Sequence, residues 1–353
     1  MSGGTVGAMN RGASGAMSGG ARDATGGDQD AVTPVALPHG PVMLGVEGLA
    51  LTAADRARLA HPSVGGVILF ARNYRDPAQL RALTGAIAAL RTPRLLVAVD
   101  HEGGRVQRFR DGFTAIPPMR TLGEAYERDP AAALAQAEQH GVTIGRELVA
   151  HGVDFSFTPV LDVDHGASTI IGDRAFHHHP LTVAALAEAL VRGLHGAGSR
   201  AVGKHFPGHG FVAADSHVAL PVDDRPIEEI LANDVTPFTR LAAVLDGVMP
   251  AHVVYRQVDE RPAGFSPFWL GEILRKRLGF AGLVFSDDLE MAGAHGAGDI
   301  VARADSAVAA GCDMVLACND FGAMDELLAR WRPPAMPQLG RRAQAMLAAP
   351  PLR

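Results

Sequence analysis

Three stretches of the chain place chemically capable side chains directly behind short apolar runs. Residues 95–99 lead into Asp100-His101-Glu102-Gly103-Gly104-Arg105. Residues 200–203 lead into Lys204-His205-Phe206-Pro207-Gly208-His209-Gly210, and residues 283–285 lead into Ser286-Asp287-Asp288. An acid just past a strand is often only a helix N-cap, and for any single stretch that reading competes evenly with a reactive one. Three such stretches in one chain favour a shared site. Of the two adjacent aspartates, one can cap a following helix while the other faces the site. The residue nearer the strand is better placed to point inward, which makes Asp287 the reactive candidate and Asp288 the structural one.

A fourth stretch, residues 206–221, holds two Gly and two Pro and shows no helical periodicity. It reads as a long loop, a common place for function on a rigid scaffold. Within it, Asp215-Ser216-His217 sets a carboxylate two residues from an imidazole. Such a pairing fixes the ring's tautomer and stabilises its protonated form, giving a group that can donate and then accept a proton near neutral pH. A surface histidine with a local turn contact is the competing reading.

His205, His209, Asp215 and His217 could also be pictured as metal ligands in a metal-dependent barrel hydrolase. Phe206-Pro207-Gly208 between the first two breaks the one-face spacing of a zinc helix, and Lys204 disfavours a neighbouring cation. No metal and no cofactor is therefore assigned. His177-His178-His179 reads as a solvated loop face.

The elements that must carry these groups alternate. Short apolar, β-branched runs fall at residues 41–46, 65–70, 95–99, 154–160, 200–204, 248–252, 283–286 and 313–317. Most are continuously apolar, as strands of a parallel sheet covered on both faces are. Amphipathic stretches separate them at residues 52–61, 77–91, 131–151, 181–196 and 302–311, with a last one at 338–347. Thr52 and Asp76 stand as N-caps, the latter ahead of Pro77 at the first helical position. On the stretch from 131, Leu134, Ala137, Gly141, Ile144 and Leu148 share one face. Eight strands alternating with helices predict an α/β fold, a single-domain (β/α)8 TIM barrel whose active site lies at the C-terminal ends of the strands. A doubly wound open sheet is the alternative, because periodicity does not report closure.

The 353 residues suit such a barrel with insertions, and 47% hydrophobic content supplies a large core. Thirty-two basic against thirty-eight acidic residues leave a net charge of −6, which argues against a nucleic-acid or anionic-membrane partner. Cys312 and Cys318 are expected to be buried thiols rather than a disulfide framework. Residues 1–36, rich in Gly, Ala and Ser, are expected to be a disordered extension ahead of a catalytic domain at 37–353. The extension lacks the apolar segment of a secretory signal, and no run reaches transmembrane length, so a cytoplasmic location is expected.

The motifs Asp100 to Arg108, Lys204 to Gly210, Asp215-Ser216-His217 and Ser286 to Met291, together with Phe155 to Asp164 and Ile171 to His177, resemble glycoside hydrolase family 3. More narrowly they resemble its single-domain bacterial β-N-acetylglucosaminidases of peptidoglycan recycling. The likeness spans about residues 40–345. It implies a TIM barrel and a retaining exo-hydrolysis of terminal β-linked N-acetylglucosamine from anhydro-muropeptides. It implies Asp287 as nucleophile, His217 as general acid/base with Asp215 as its partner, and Asp100, Arg108, Arg174, Lys204 and His205 as sugar-binding groups. A monomer acting on a small sugar or muropeptide substrate is implied as well. Arg174 could instead be tied up in a salt bridge to Asp173. A phosphorylase of the same family and a non-catalytic sugar sensor are the other readings.

Overall fold

Eight short strands run parallel and close on themselves in sequence order: β1 (Val42–Gly45), β2 (Val64–Leu69), β3 (Leu96–Val99), β4 (Phe155–Ser156), β5 (Arg200–Phe206), β6 (Gly247–Pro250), β7 (Leu283–Asp288) and β8 (Met314–Ala317). Closure runs from β8 back to β1, where Val315, Leu316 and Ala317 pair with Val42, Met43 and Leu44. The computed structural model describes residues 34–213 and 220–349. The eight expected strands all lie in this barrel, and the open sheet is not formed.

Strand alternation divides the core in two. Val42, Leu44, Val67, Leu69, Val97 and Val99 face outward onto the helices. Met43, Ile68, Leu96, Ala98, Phe155, Phe157, Leu283, Phe285, Met314 and Leu316 form a separate cluster that fills the barrel. Phe155, Phe157 and Phe285 meet there edge-to-face or tilted, with ring centroids 5.2–5.6 Å apart. Leu339, Ala343 and Met346, from the last helix, complete that inner cluster.

At the N-terminal ends of the strands, aspartates fasten neighbours together. Asp154, before β4, accepts the Val97 N–H of β3 (2.8 Å). Asp246, before β6, accepts that of Ala201 in β5 (2.9 Å). Asp313, before β8, accepts that of Val284 in β7 (2.9 Å). Each also holds a cation or imidazole: Arg94 on Asp154, His195 on Asp246, Arg275 and Arg342 on Asp313. This is the face of a barrel that serves stability rather than chemistry.

Several helices begin at side-chain caps. Thr52 and Asp55 form a reciprocal capping box, and Asp76 accepts the Gln79 N–H ahead of Pro77. Asp129, Asp299 and Asp320 cap three more. Helices Thr236–Leu241 and Phe321–Arg330 and the π-helix Phe268–Arg277 were not expected from the sequence. The first is too short for a clear 3.6-residue pattern, the second does carry one in its buried Met324, Leu327 and Leu328 and was overlooked, and the π-helix departs from that period altogether. No helix among the described residues is long and apolar enough to cross a membrane. Both cysteines are buried and free, as expected.

The expected extension lies outside the described residues up to residue 33. Its last part belongs to the folded unit instead: Val35–Ala36 pairs in parallel with Arg91–Thr92, and the Arg91 guanidinium donates to the Pro38 carbonyl (2.7 Å). That contact is long-range and carries no local signal.

The helix pair Pro130–Ala150 and Pro180–Gly196 flanks the loop that leads to Arg174. It meets through glycines. A Cβ on Gly141 would lie 2.1 Å from the Leu190 carbonyl oxygen, and one on Gly193 2.0 Å from that of Glu138. Gly193→Ala is therefore expected to force the helices apart at a cost of about 2 kcal/mol. A thermal melt should show a drop of roughly 4 °C or more; an unchanged melt would mean that the contact is not tight.

Candidate active site

The inward phase of the strands continues past their ends. Leu96 and Ala98 face the interior, so Asp100 and Glu102 follow in the same phase; Leu283 and Phe285 do, so Asp287 follows; Val202 does, so Lys204 follows. These side chains converge on a cavity of about 380 Å³ at the C-terminal ends of the strands. Asp100, Arg108, Arg174, Lys204, His205 and Asp287 all line it. Asp215 and His217 lie outside the described residues.

After β3 the chain folds into a hairpin, His101–Gly103 against Val106–Gln107. The buried Gln107 amide pins it, donating to the Phe109 and Thr114 carbonyls and accepting the Ile116 N–H. The hairpin thereby presents Glu102 inward and Arg105 and Arg108 at the rim.

Along one wall runs a line of alternating charge. Arg174 grips Glu102 with two hydrogen bonds of 2.8 Å. Lys204 Nζ lies 2.6 Å from Glu102 Oε1 and 2.7 Å from Asp100 Oδ1, and Arg108 stands 3.8 Å from Asp100 Oδ2. Glu102 is only 2% exposed and Lys204 3%. Burial by itself would favour a neutral Glu102, but Arg174 and Lys204 hold its carboxyl well below the usual range. Burial likewise opposes the Lys204 charge, and Asp100 and Glu102 overcome it. Three cations against two carboxylates leave this line one positive charge in excess.

Asp287 and Asp288 line the same cavity. The Asp287 carboxylate accepts the Asp288 N–H (2.8 Å). Burial would raise its pKa, but the nearby His252, His205 and Lys204 lower it below the ordinary value, so it is ionised at neutral pH. Asp288 differs: burial, and then the charge of Glu290, push it up to about 7. His205 is fixed by the fully buried Asp162, which takes its Nδ1 at 2.7 Å, its backbone N–H at 3.2 Å and the His209 N–H at 2.7 Å. The Lys204–His205 and Phe206–Pro207 peptides are cis.

Several expectations change in detail. Asp288 caps no helix; its carboxylate accepts the Glu290 N–H two residues on, and Asp299 caps the helix that follows. Asp288 also lines the cavity together with Asp287. Arg174 does not pair with Asp173, which pairs with Arg105 (3.4 Å) instead. The histidine cluster is not wholly solvated: His177 is buried, with Nε2 3.2 Å from Glu127 and its ring stacked on His178, while His178 and His179 face outward. Glu102 and Asp162 were missed as site residues. The signal for Glu102 is its two-residue offset from Asp100. The signal for Asp162 is an acid enclosed by Leu161 and Val163, which must be paired if buried.

Residues 40–331 match the model of the glycosyl hydrolase family 3 N terminal domain. The chain is 59% identical over 315 residues to the beta-hexosaminidase of Aromatoleum aromaticum, covering 89% of this chain and 88% of that protein. It is 58% identical over 311 residues to the beta-hexosaminidase of Chromobacterium violaceum, covering 88% and 87%. Among solved structures it is similar to NagZ from Neisseria gonorrhoeae in complex with N-trifluoroacetyl-D-glucosamine: 49% identity, 89% and 92% coverage, and a TM-score of 0.85. With a closed eightfold barrel, a charged cavity at its C-terminal end and a family match over most of its length, the chain belongs to glycosyl hydrolase family 3 and is a glycoside hydrolase.

Proposed function

We propose that the protein is a retaining exo-β-N-acetylglucosaminidase that releases terminal N-acetylglucosamine from peptidoglycan fragments in the cytoplasm, acting as a monomer. The observation that carries the reading is Asp287: a carboxylate kept ionised at the end of β7, in phase with the barrel interior and facing a wall of hydrogen-bond donors across a sugar-sized cavity. The similarity to beta-hexosaminidases and to a structure holding an N-acylated glucosamine supports the sugar.

In this reading Asp287 attacks the anomeric carbon to form a glycosyl-enzyme while His217, assisted by Asp215, protonates the departing oxygen. Water deprotonated by His217 then releases the sugar. Most retaining enzymes divide these tasks between two carboxyl groups; a His–Asp pair takes the place of one. Lys204, Arg108 and Arg174 can only donate hydrogen bonds and Asp100 only accepts, which suits sugar hydroxyls and an acetamido carbonyl. Because Asp162 takes the His205 Nδ1–H, Nε2 of that ring is left to meet a hydroxyl.

Asp287→Ala should lower kcat on an aryl N-acetylglucosaminide by about 10³-fold or more. His217→Ala should cost about 10²- to 10⁴-fold on glycosides with poor leaving groups and far less on activated ones. Equal losses on both classes would remove His217 from the acid role, and survival of Asp287→Ala would remove Asp287 as nucleophile. The raised Asp288 pKa gives a stability prediction of definite sign. The fold favours its protonated form, so as pH climbs from the ordinary aspartate range near 4 through about 7 the wild type loses stability that Asp288→Asn retains. Melting temperatures at pH 5 and pH 8 should show the variant gaining on the wild type at the higher pH; a constant difference would refute it.

A further inference from the structure

Asp287 stands on a stretch of β7 that has left the barrel ladder. Toward β8, Phe285 pairs with Met314 and Asp288 with Leu316, so β7 carries one residue more than β8 over the same span and bulges there. Bulges beside active sites re-aim side chains. Toward β6, pairing ends at Val248 with Val284. The segment from Phe285 to Asp288 therefore has no ladder partner on the β6 side among the described residues, and the backbone that aims Asp287 must be held by other means.

Side chains hold it. On the β8 side the Ser286 hydroxyl accepts the Leu316 N–H (3.0 Å). On the β6 side stands His252, two residues past the end of that strand and fully enclosed, with Nε2 3.1 Å from the Asp288 carbonyl oxygen. A carbonyl only accepts, so Nε2 carries the proton. Burial is the largest influence on this ring and lowers its pKa despite the nearby Asp287, which keeps it neutral with a single N–H. Nδ1 is then a bare lone pair, buried and with no partner among the described residues. It faces Gly264, on which a Cβ would lie 3.7 Å away, and the ring leans on Phe265 with centroids 5.3 Å apart. An unmet buried acceptor costs free energy, so a leucine of similar volume would suit these surroundings better. What the imidazole supplies and a leucine does not is the Nε2–H.

We propose that His252 is a positioning residue for the hydrolysis: its Nε2–H takes the place of a strand hydrogen bond and holds the bulge that aims Asp287 into the sugar cavity. The proposal rests on the reading of Asp287 as nucleophile. His252 lies behind the residues that line the cavity, so it acts on the approach of the carboxylate to the anomeric carbon and not on the grip on the sugar. Its loss is expressed in kcat and leaves the affinity for the sugar in place.

Three variants of the full-length chain separate the hydrogen bond from the space the ring fills. His252→Leu fills the site without a donor. His252→Asn stays polar but is too short to reach the carbonyl, and His252→Gln returns an N–H near the position of Nε2. Turnover of an aryl N-acetylglucosaminide and calorimetric affinity for N-acetylglucosamine are measured for each, with Asp287→Ala beside them. His252→Leu and His252→Asn should lose about 10- to 100-fold in kcat, the scale of a reacting group displaced by up to ~1 Å. Both should bind the free sugar within about twofold of wild type, as a transition-state contact requires, and that binding also reports an intact fold. His252→Gln should recover kcat to within about threefold of wild type once the donor is restored. If His252→Leu does not fold, His252→Asn against His252→Gln carries the comparison. Unchanged kcat in folded His252→Leu or His252→Asn, equal losses in His252→Asn and His252→Gln, or a loss confined to sugar affinity overturns the positioning role and leaves the glycosidase reading standing. Undiminished turnover by Asp287→Ala overturns both.

Discussion

Glu102 is a carboxylate almost wholly removed from water, and its charge is tolerable only because Arg174 holds it from one side and Lys204 from the other. The arrangement is mutual. The same carboxylate cancels the cost of burying two cations at the wall of a cavity, and Asp100 passes the alternation on to Arg108. Removing any central member would leave an uncompensated buried charge, so the line behaves as a unit. It joins the loops after β3 and β4 to strand β5 through side chains rather than backbone. What it leaves facing the cavity is a fixed array of donors opposite one ionised carboxylate. An array fixed in advance does not need to reorganise when charge develops in a reaction.

The barrel makes that array possible by separating stability from chemistry. At the N-terminal ends of the strands, Asp154, Asp246 and Asp313 stitch β3 to β4, β5 to β6 and β7 to β8. Between the two ends, Phe155, Phe157 and Phe285 fill the interior and form the floor on which the polar residues stand. The C-terminal ends are thereby free to hold charges that add little to the fold. The strong difference between Asp287, held ionised, and its neighbour Asp288, pushed toward neutrality, is set by these surroundings: one faces the cationic wall and the other faces Glu290.

Much of the barrel could be read from residue order, because continuous β-branched runs separated by capped amphipathic stretches leave few other solutions. The caps at Thr52 and Asp76 are local chemistry and therefore visible. That Asp100, Lys204 and Asp287 share a cavity follows from strand phase, which is also local. What escaped the sequence depends on distance along the chain. Glu102 meets Arg174 across 72 residues, Asp162 meets His205 across 43, and Val35–Ala36 joins a segment more than fifty residues on. Asp288 was misassigned as a possible helix cap because an acid behind a strand looks the same whether it binds a helix N-terminus or lines a cavity. The burial of His177 depends on Glu127 and the packing beneath it, neither of which a run of three histidines announces.

The Glu102 charge holds the cations Lys204 and Arg174 in place at the cavity wall. Calorimetric titration of N-acetylglucosamine into wild type and Glu102→Gln, at a temperature where circular dichroism shows both folded, tests it most directly. Loss of the charge should release Lys204 and Arg174 from their shared anchor and weaken binding by about tenfold or more, the scale of 1.4 kcal/mol. Equal affinity in the folded variant would show that the cations keep their positions without Glu102, and would contradict the account.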